Sequence, residues 1–130
     1  VSGNAWVYGN AWVSDDVLVY GDAQVSGNVW VSGDVLVYGN AQISGNAFIT
    51  SLDDISTISG FGSENRTTTF YLSKDNEILV SCGCFHGTLK QFRDKVKITH
   101  GGTPLGQEYL MIADLMEMRF KRVLESKEVL

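Results

Sequence analysis

Cys82, Cys84 and His86 alternate along one extended segment, SCGCFHG, so in a single strand their side chains would project from the same face. With His100 they form a possible zinc set of two thiolates and two imidazoles. One-residue spacing strains tetrahedral coordination, however, and reduced Cys is among the most buried residue types, so core packing is the favoured reading. A Cys–His nucleophile pair lacks any orienting acid or oxyanion site in the surrounding sequence. The two cysteines lie too close together for a useful disulfide and are expected to be reduced thiols. A second oxygen-rich candidate is Asp16 with Asp34, which would stack near a corner of the repeat described next. Two carboxylates without a rigid oxygen cage fit a solvated acidic edge better than a calcium site. No cofactor and no metal is expected.

The elements that must position these groups begin with a repeat. Cut in sixes, the first half reads VSGNAW, VYGNAW, VSDDVL, VYGDAQ, VSGNVW, VSGDVL, VYGNAQ, ISGNAF and a degenerate ITSLDD. The first position is Val or Ile throughout, the fifth is Ala or Val in the first eight hexads, and Gly, Asn or Asp fill the third and fourth there. One hexad makes a short strand and a bend, which buries almost nothing alone. Stacked coils pair each strand with its copies about 4.8 Å above and below and join the aliphatic positions into one core. Residues 13–30 match 31–48 at 13 of 18 positions, which sets three hexads per coil. The sixth position then sorts into three outward columns: Trp12, Trp30, Phe48; Leu18, Leu36; and Trp6, Gln24, Gln42.

This pattern resembles the left-handed β-helix hexapeptide-repeat proteins over about residues 1–50, though here Ser or Tyr holds the second position and Gly follows it. The resemblance implies a short triangular, left-handed β-solenoid. It also brings acyltransferases into view, but those enzymes use a His and an extruded loop, and residues 1–54 contain no His and no break in register. An outward Trp12, Trp30, Phe48 column is an exposed aromatic stripe unless something covers it. Cover by the chain's own C-terminal helices is the first expectation, and an external partner the second.

Beyond the repeat, TTTFYLS, KDN and EILVSCGCF read as an antiparallel hairpin over about 67–85. GTLKQFRDKVKITHGG reads as a helix over about 88–100, with Thr88 and Gln91 in capping-box spacing and glycines at its end. A second helix over about 104–126 starts at Pro104, and Tyr109, Ile112, Met116 and Phe120 line one side as core or dimer seam. The fold class is therefore mainly β: a solenoid over residues 1–60, then an α+β cap over 61–130. Residues 60–120, through SCGCFHGTLKQFRDKV, THG and QEYL, resemble C-terminal modules of uncharacterised phage and prophage proteins, which implies a viral or mobile-element setting.

The chain's charge of -5 is unevenly spread: residues 1–65 hold seven acids, Asp15, Asp16, Asp22, Asp34, Asp53, Asp54 and Glu64, and no Lys or Arg. Such a surface repels nucleic acid and attracts basic proteins. A hydrophobic fraction of 44% fits a soluble globular protein, and no apolar run approaches the roughly 20 residues of a membrane span. There is no signal-peptide pattern, so the expected location is the host cytoplasm. The chain begins at Val1 in mid-pattern, and further repeats before it are an expectation. The function these features suggest is a non-catalytic protein–protein interaction module, with no direct nucleic-acid binding and no membrane binding expected, that inhibits a host factor. An anti-CRISPR or other anti-defence inhibitor acting on a basic nucleic-acid-handling protein is its concrete form, with Trp12, Trp30, Phe48, Asp15, Asp16, Asp22 and Asp34 as contact residues and a homodimer as the assembly. A structural or oligomerisation scaffold is the alternative, and a hexapeptide-repeat acyltransferase the outside one.

Overall fold

A computed structural model describes residues 3–14, 17–61, 66–83 and 85–128. Eight two-residue strands occupy the repeat: β1 (Trp6–Val7), β2 (Trp12–Val13), β3 (Leu18–Val19), β4 (Gln24–Val25), β5 (Trp30–Val31), β6 (Leu36–Val37), β7 (Gln42–Ile43) and β8 (Phe48–Ile49). They stack in parallel as β1-β4-β7, β2-β5-β8 and β3-β6, so three hexads make one coil. The pairing Trp6↔Gln24↔Gln42, Trp12↔Trp30↔Phe48 and Leu18↔Leu36 is the column order that the sequence predicts. Inside, Val19, Val25, Val31, Val37, Ile43 and Ile49 are buried with the small residues Ala23, Val29, Val35, Ala41 and Ala47. The small position lets the three walls close on one another, as a triangular core requires.

A turn of 3₁₀ helix at Leu52–Asp54 ends the coils. Four antiparallel strands follow: β9 (Ile55–Phe61), β10 (Arg66–Leu72), β11 (Ile78–Cys82) and β12 (Phe85–Thr88), in the order β12-β11-β10-β9. The expected hairpin is thus the centre of a larger sheet, and that sheet starts at Ile55, inside the segment that the six-residue beat places in the solenoid. Ile55 does keep a coil-like role, because it is buried in the same cluster as Ile49. Helices α1 (Leu89–His100) and α2 (Pro104–Glu128) complete the chain. Thr88 caps α1 with the full capping box: its hydroxyl accepts from Gln91 N–H while the Gln91 side chain accepts from Thr88 N–H.

The sheet separates two cores. Alternation along β10 sends Tyr71 into the solenoid core and Phe70 and Leu72 into a second core with Phe92, Tyr109, Met116 and Phe120. The helices therefore pack on the sheet face that points away from the coils. The C-terminal half of α2 is also tied to the chain's exit from the coils. Arg119 donates to the carbonyls of Asp53 at 2.8 Å, Leu52 at 3.3 Å and Ile55 at 3.4 Å, and burial pushes its guanidinium below its usual pKa. Lys127 pairs with the fully buried Asp54, whose other carboxylate oxygen accepts from Thr50 N–H and Oγ1. No helix among the described residues is long and apolar enough to cross a membrane.

Coil spacing sets where a side chain is impossible. Gly33 has φ +83°, and a Cβ there would stand 2.3 Å from the Thr50 carbonyl oxygen. Gly39 has φ +61° but open space around it. Alanine at Gly39 is expected to cost about 1–2 kcal/mol for the left-handed backbone alone. At Gly33 the clash adds roughly 1–3 kcal/mol, so urea denaturation should rank Gly33→Ala clearly below Gly39→Ala in stability.

Candidate interaction surface and junction cleft

Hydrogen-bonded rungs bring the outward sixth positions of one wall into van der Waals range. Trp12 and Trp30 stack with ring centroids 5.2 Å apart and planes 7° off parallel, and Trp30 and Phe48 follow at 6.1 Å and 20°. These rings remain 55%, 39% and 39% exposed. The Trp30 indole N–H donates to Ser32 Oγ at 3.1 Å, which fixes the ring further. Beside the rings run Asn10, Asn28 and Asn46, the fourth positions of the same wall, with Asn10 Nδ2 donating to Asn28 Oδ1 at 3.1 Å. Between the two ladders lies a groove of about 420 Å³. The β10–β11 turn closes one end of it: Lys74 N–H donates to the Asn46 carbonyl at 2.9 Å, and Lys74 and Asp75 line the groove beside Phe48.

The C-terminal helices do not cover this stripe, contrary to the first expectation. Both lie behind the sheet, and the sheet caps the solenoid from its end, so among the described residues of the cap it is the β10–β11 turn that borders the wall of rings, and the rings stay exposed. Tyr20 and Tyr38 stack in the same way on another corner, at 5.7 Å. Of the expected acidic contacts, Asp22 and Asp34 are exposed, and Asp22 accepts from Asn4 Nδ2 at 3.4 Å. Asp15 and Asp16 lie outside the described residues.

The metal set is dispersed. Gly83, with φ +60°, turns the chain between β11 and β12, so Cys82 and His86 stand on different strands instead of alternating along one. Cys82 faces the helices, where its Sγ accepts from Thr68 Oγ1 at 3.2 Å, and His86 pairs across from Ser81 on the coil side. His100 stacks on Tyr109 at 5.6 Å, at the far end of α1, and Cys84 lies outside the described residues. No group of three or more His, Cys, Asp or Glu able to hold a metal ion occurs among the described residues. The dimer-seam residues are also reassigned: Tyr109, Ile112, Met116 and Phe120 are buried against the sheet and α1, and cannot form a seam between copies.

Sequence reasoning missed a polar cluster where coil, sheet and turn meet. The Tyr71 hydroxyl lies 2.8 Å from Ser81 Oγ and accepts from Ser44 N–H at 3.1 Å. His86 Nδ1 lies 3.0 Å from Ser81 Oγ and 3.3 Å from Ser44 Oγ. Ser44, Tyr71 and His86 of this cluster line a cleft of about 290 Å³ that Asp75 and Glu77 also line, with Ser81 buried behind them. Its members come from β10, β11, β12 and the third coil, and only their fold-level pairing brings them together. A chain of hydroxyls ending on a surface imidazole can pass a proton, and above all it satisfies the polar atoms that capping would otherwise bury unpaired.

A family model described as the YdcK beta solenoid repeat matches residues 1–15 and 23–39, both within the coils. The chain is similar to that family there, and the match agrees with the stacked parallel strands. No curated protein and no solved structure matches the chain significantly.

Tyr71→Phe keeps the ring and removes the hydroxyl that Ser44 N–H and Ser81 use. A loss of about 1–3 kcal/mol in chemical denaturation is expected, with far-ultraviolet circular dichroism unchanged.

Proposed function

We propose that this chain is a non-catalytic interaction module that binds a host protein through the wall of the solenoid bearing Trp12, Trp30 and Phe48. One observation carries the reading: the aromatic ladder is stacked ring on ring and is left exposed by the described residues of the chain's own cap. Rings held in place before binding lose little rotamer entropy on contact, and aromatic residues are the commonest hot spots of protein interfaces. The neighbouring Asn amides supply donors and acceptors for a polar rim.

An inhibitor of a host defence factor is the concrete form of this module, in the viral or mobile-element setting that the resemblance of residues 60–120 implies. Its surface is better placed on the rings than on the acids. Asp54 is buried against Lys127, which leaves Asp22, Asp34 and Asp53 as the exposed acids among the described residues of the coils and the turn that ends them. A structural scaffold is the second reading, favoured by large apolar side chains on the other walls too, with Trp6 64% and Leu18 55% exposed.

Proteins retained from host lysate by the immobilised chain would be purified and titrated against three forms: wild type, Trp30→Glu, and Asp22→Asn/Asp34→Asn. The Trp30 variant should fold, losing roughly 1–3 kcal/mol of stacking, and should bind at least about 30-fold more weakly, the loss of a hot spot of 2 kcal/mol or more. The Asp variant should bind within about threefold of wild type, as rim charges do. Undiminished binding by Trp30→Glu would refute the ring surface, and loss of binding in the Asp variant would restore the acidic one.

A further inference from the structure

Helix α2 carries two apolar stripes. The first is buried inside the C-terminal core through Tyr109, Ile112, Met116 and Phe120. The second lies on the opposite side and is largely exposed: Met111 is 71%, Leu115 51% and Met118 65% exposed. Glu108 precedes this stripe by one turn, Arg122 follows it by one turn, and both are exposed. From Glu108 to Arg122 the steps are three, four, three and four residues, the spacing of a seam between two helices.

We propose that two copies of the chain pair through this stripe, with their α2 helices antiparallel and Leu115 at the two-fold axis. Reversal of the stripe about Leu115 sets Met111 against Met118 of the other copy, so three apolar rungs meet. It also sets Glu108 against Arg122 at both ends. A parallel pairing would oppose Glu108 to Glu108 and Arg122 to Arg122. The stripe is thus complementary to its own reverse, the requirement of a two-fold interface. Asp114 and Glu117, the acids beside it, are already held by Arg93 of α1 at 2.8 and 3.2 Å and do not compete for Arg122. Three apolar side chains per copy make a small interface, so the dimer dissociates on dilution.

The pairing is independent of the proposed role of the aromatic ladder. Because the helices lie behind the sheet, it leaves the walls of the coils free, and the dimer presents two ladders to a partner.

Sedimentation equilibrium of the full chain over a concentration series tests this directly. Wild type should move from 14.3 kDa towards twice that mass. Leu115→Glu should stay monomeric with its thermal unfolding unchanged, since the side chain touches solvent. Glu108→Arg and Arg122→Glu should each weaken association by about tenfold, and the double variant should restore it. Wild type that remains monomeric throughout, or a dimer that persists in Leu115→Glu, would overturn the proposal. Failure of the double charge swap to restore association would overturn the antiparallel arrangement.

Discussion

The structure depends on how the last coil is closed. A β-solenoid ends in a ring of open strand edges and an exposed core, and both must be covered. Here strand β10 lies across that end. Tyr71 fills the core opening, Thr69 Oγ1 accepts from Gln42 N–H, and the Tyr71 hydroxyl accepts from Ser44 N–H, so the cap meets the coil's free amides as well as its apolar interior. Everything beyond follows from alternation along that one strand. If Tyr71 points to the coils, Phe70 and Leu72 must point away, and the helices have to pack there.

Closure from the end has a functional consequence. Elements that cap a solenoid along its axis leave most of its walls open, so the sixth-position side chains Trp6, Trp12, Leu18, Trp30, Leu36 and Phe48 stay exposed, while Gln42, beside β10, is half-buried. The repeat makes them stack, because identical register puts ring on ring at each rung. A rigid aromatic ladder is therefore a direct product of the same stacking that stabilises the coils, and its exposure is a product of how the coils are sealed. Among the described residues of the cap, the β10–β11 turn is the part that reaches this wall, and it bounds the ladder at Lys74 and Asp75.

Much of the coil was legible because each feature repeats. The 18-residue register, the three columns and the inward Val and Ala positions each recur, and every copy tests the others. The Thr88–Gln91 box was legible for a related reason, being local in sequence. What could not be read was the assembly of elements. The beat of Ile49, Ile55 and Phe61 continues past the last coil, and nothing local marks Ile55 as the start of an antiparallel strand. Cys82 and His86 alternate perfectly on paper, but the turn at Gly83 puts them on opposite faces of the sheet. On α2 both apolar stripes are present in the sequence, and only packing against the sheet decides which one is core. The Tyr71, Ser44, Ser81 and His86 cluster joins residues from four separate segments and has no linear signature.

The claim that the cap seals the coils from their end and leaves the aromatic wall bare can be tested by hydroxyl-radical footprinting of the dilute chain, read by mass spectrometry. Trp12 and Trp30 should be oxidised rapidly, while Tyr71 and Phe70 should remain protected until the protein unfolds. Protection of Trp12 and Trp30 in the monomer, or ready oxidation of Tyr71, would contradict it.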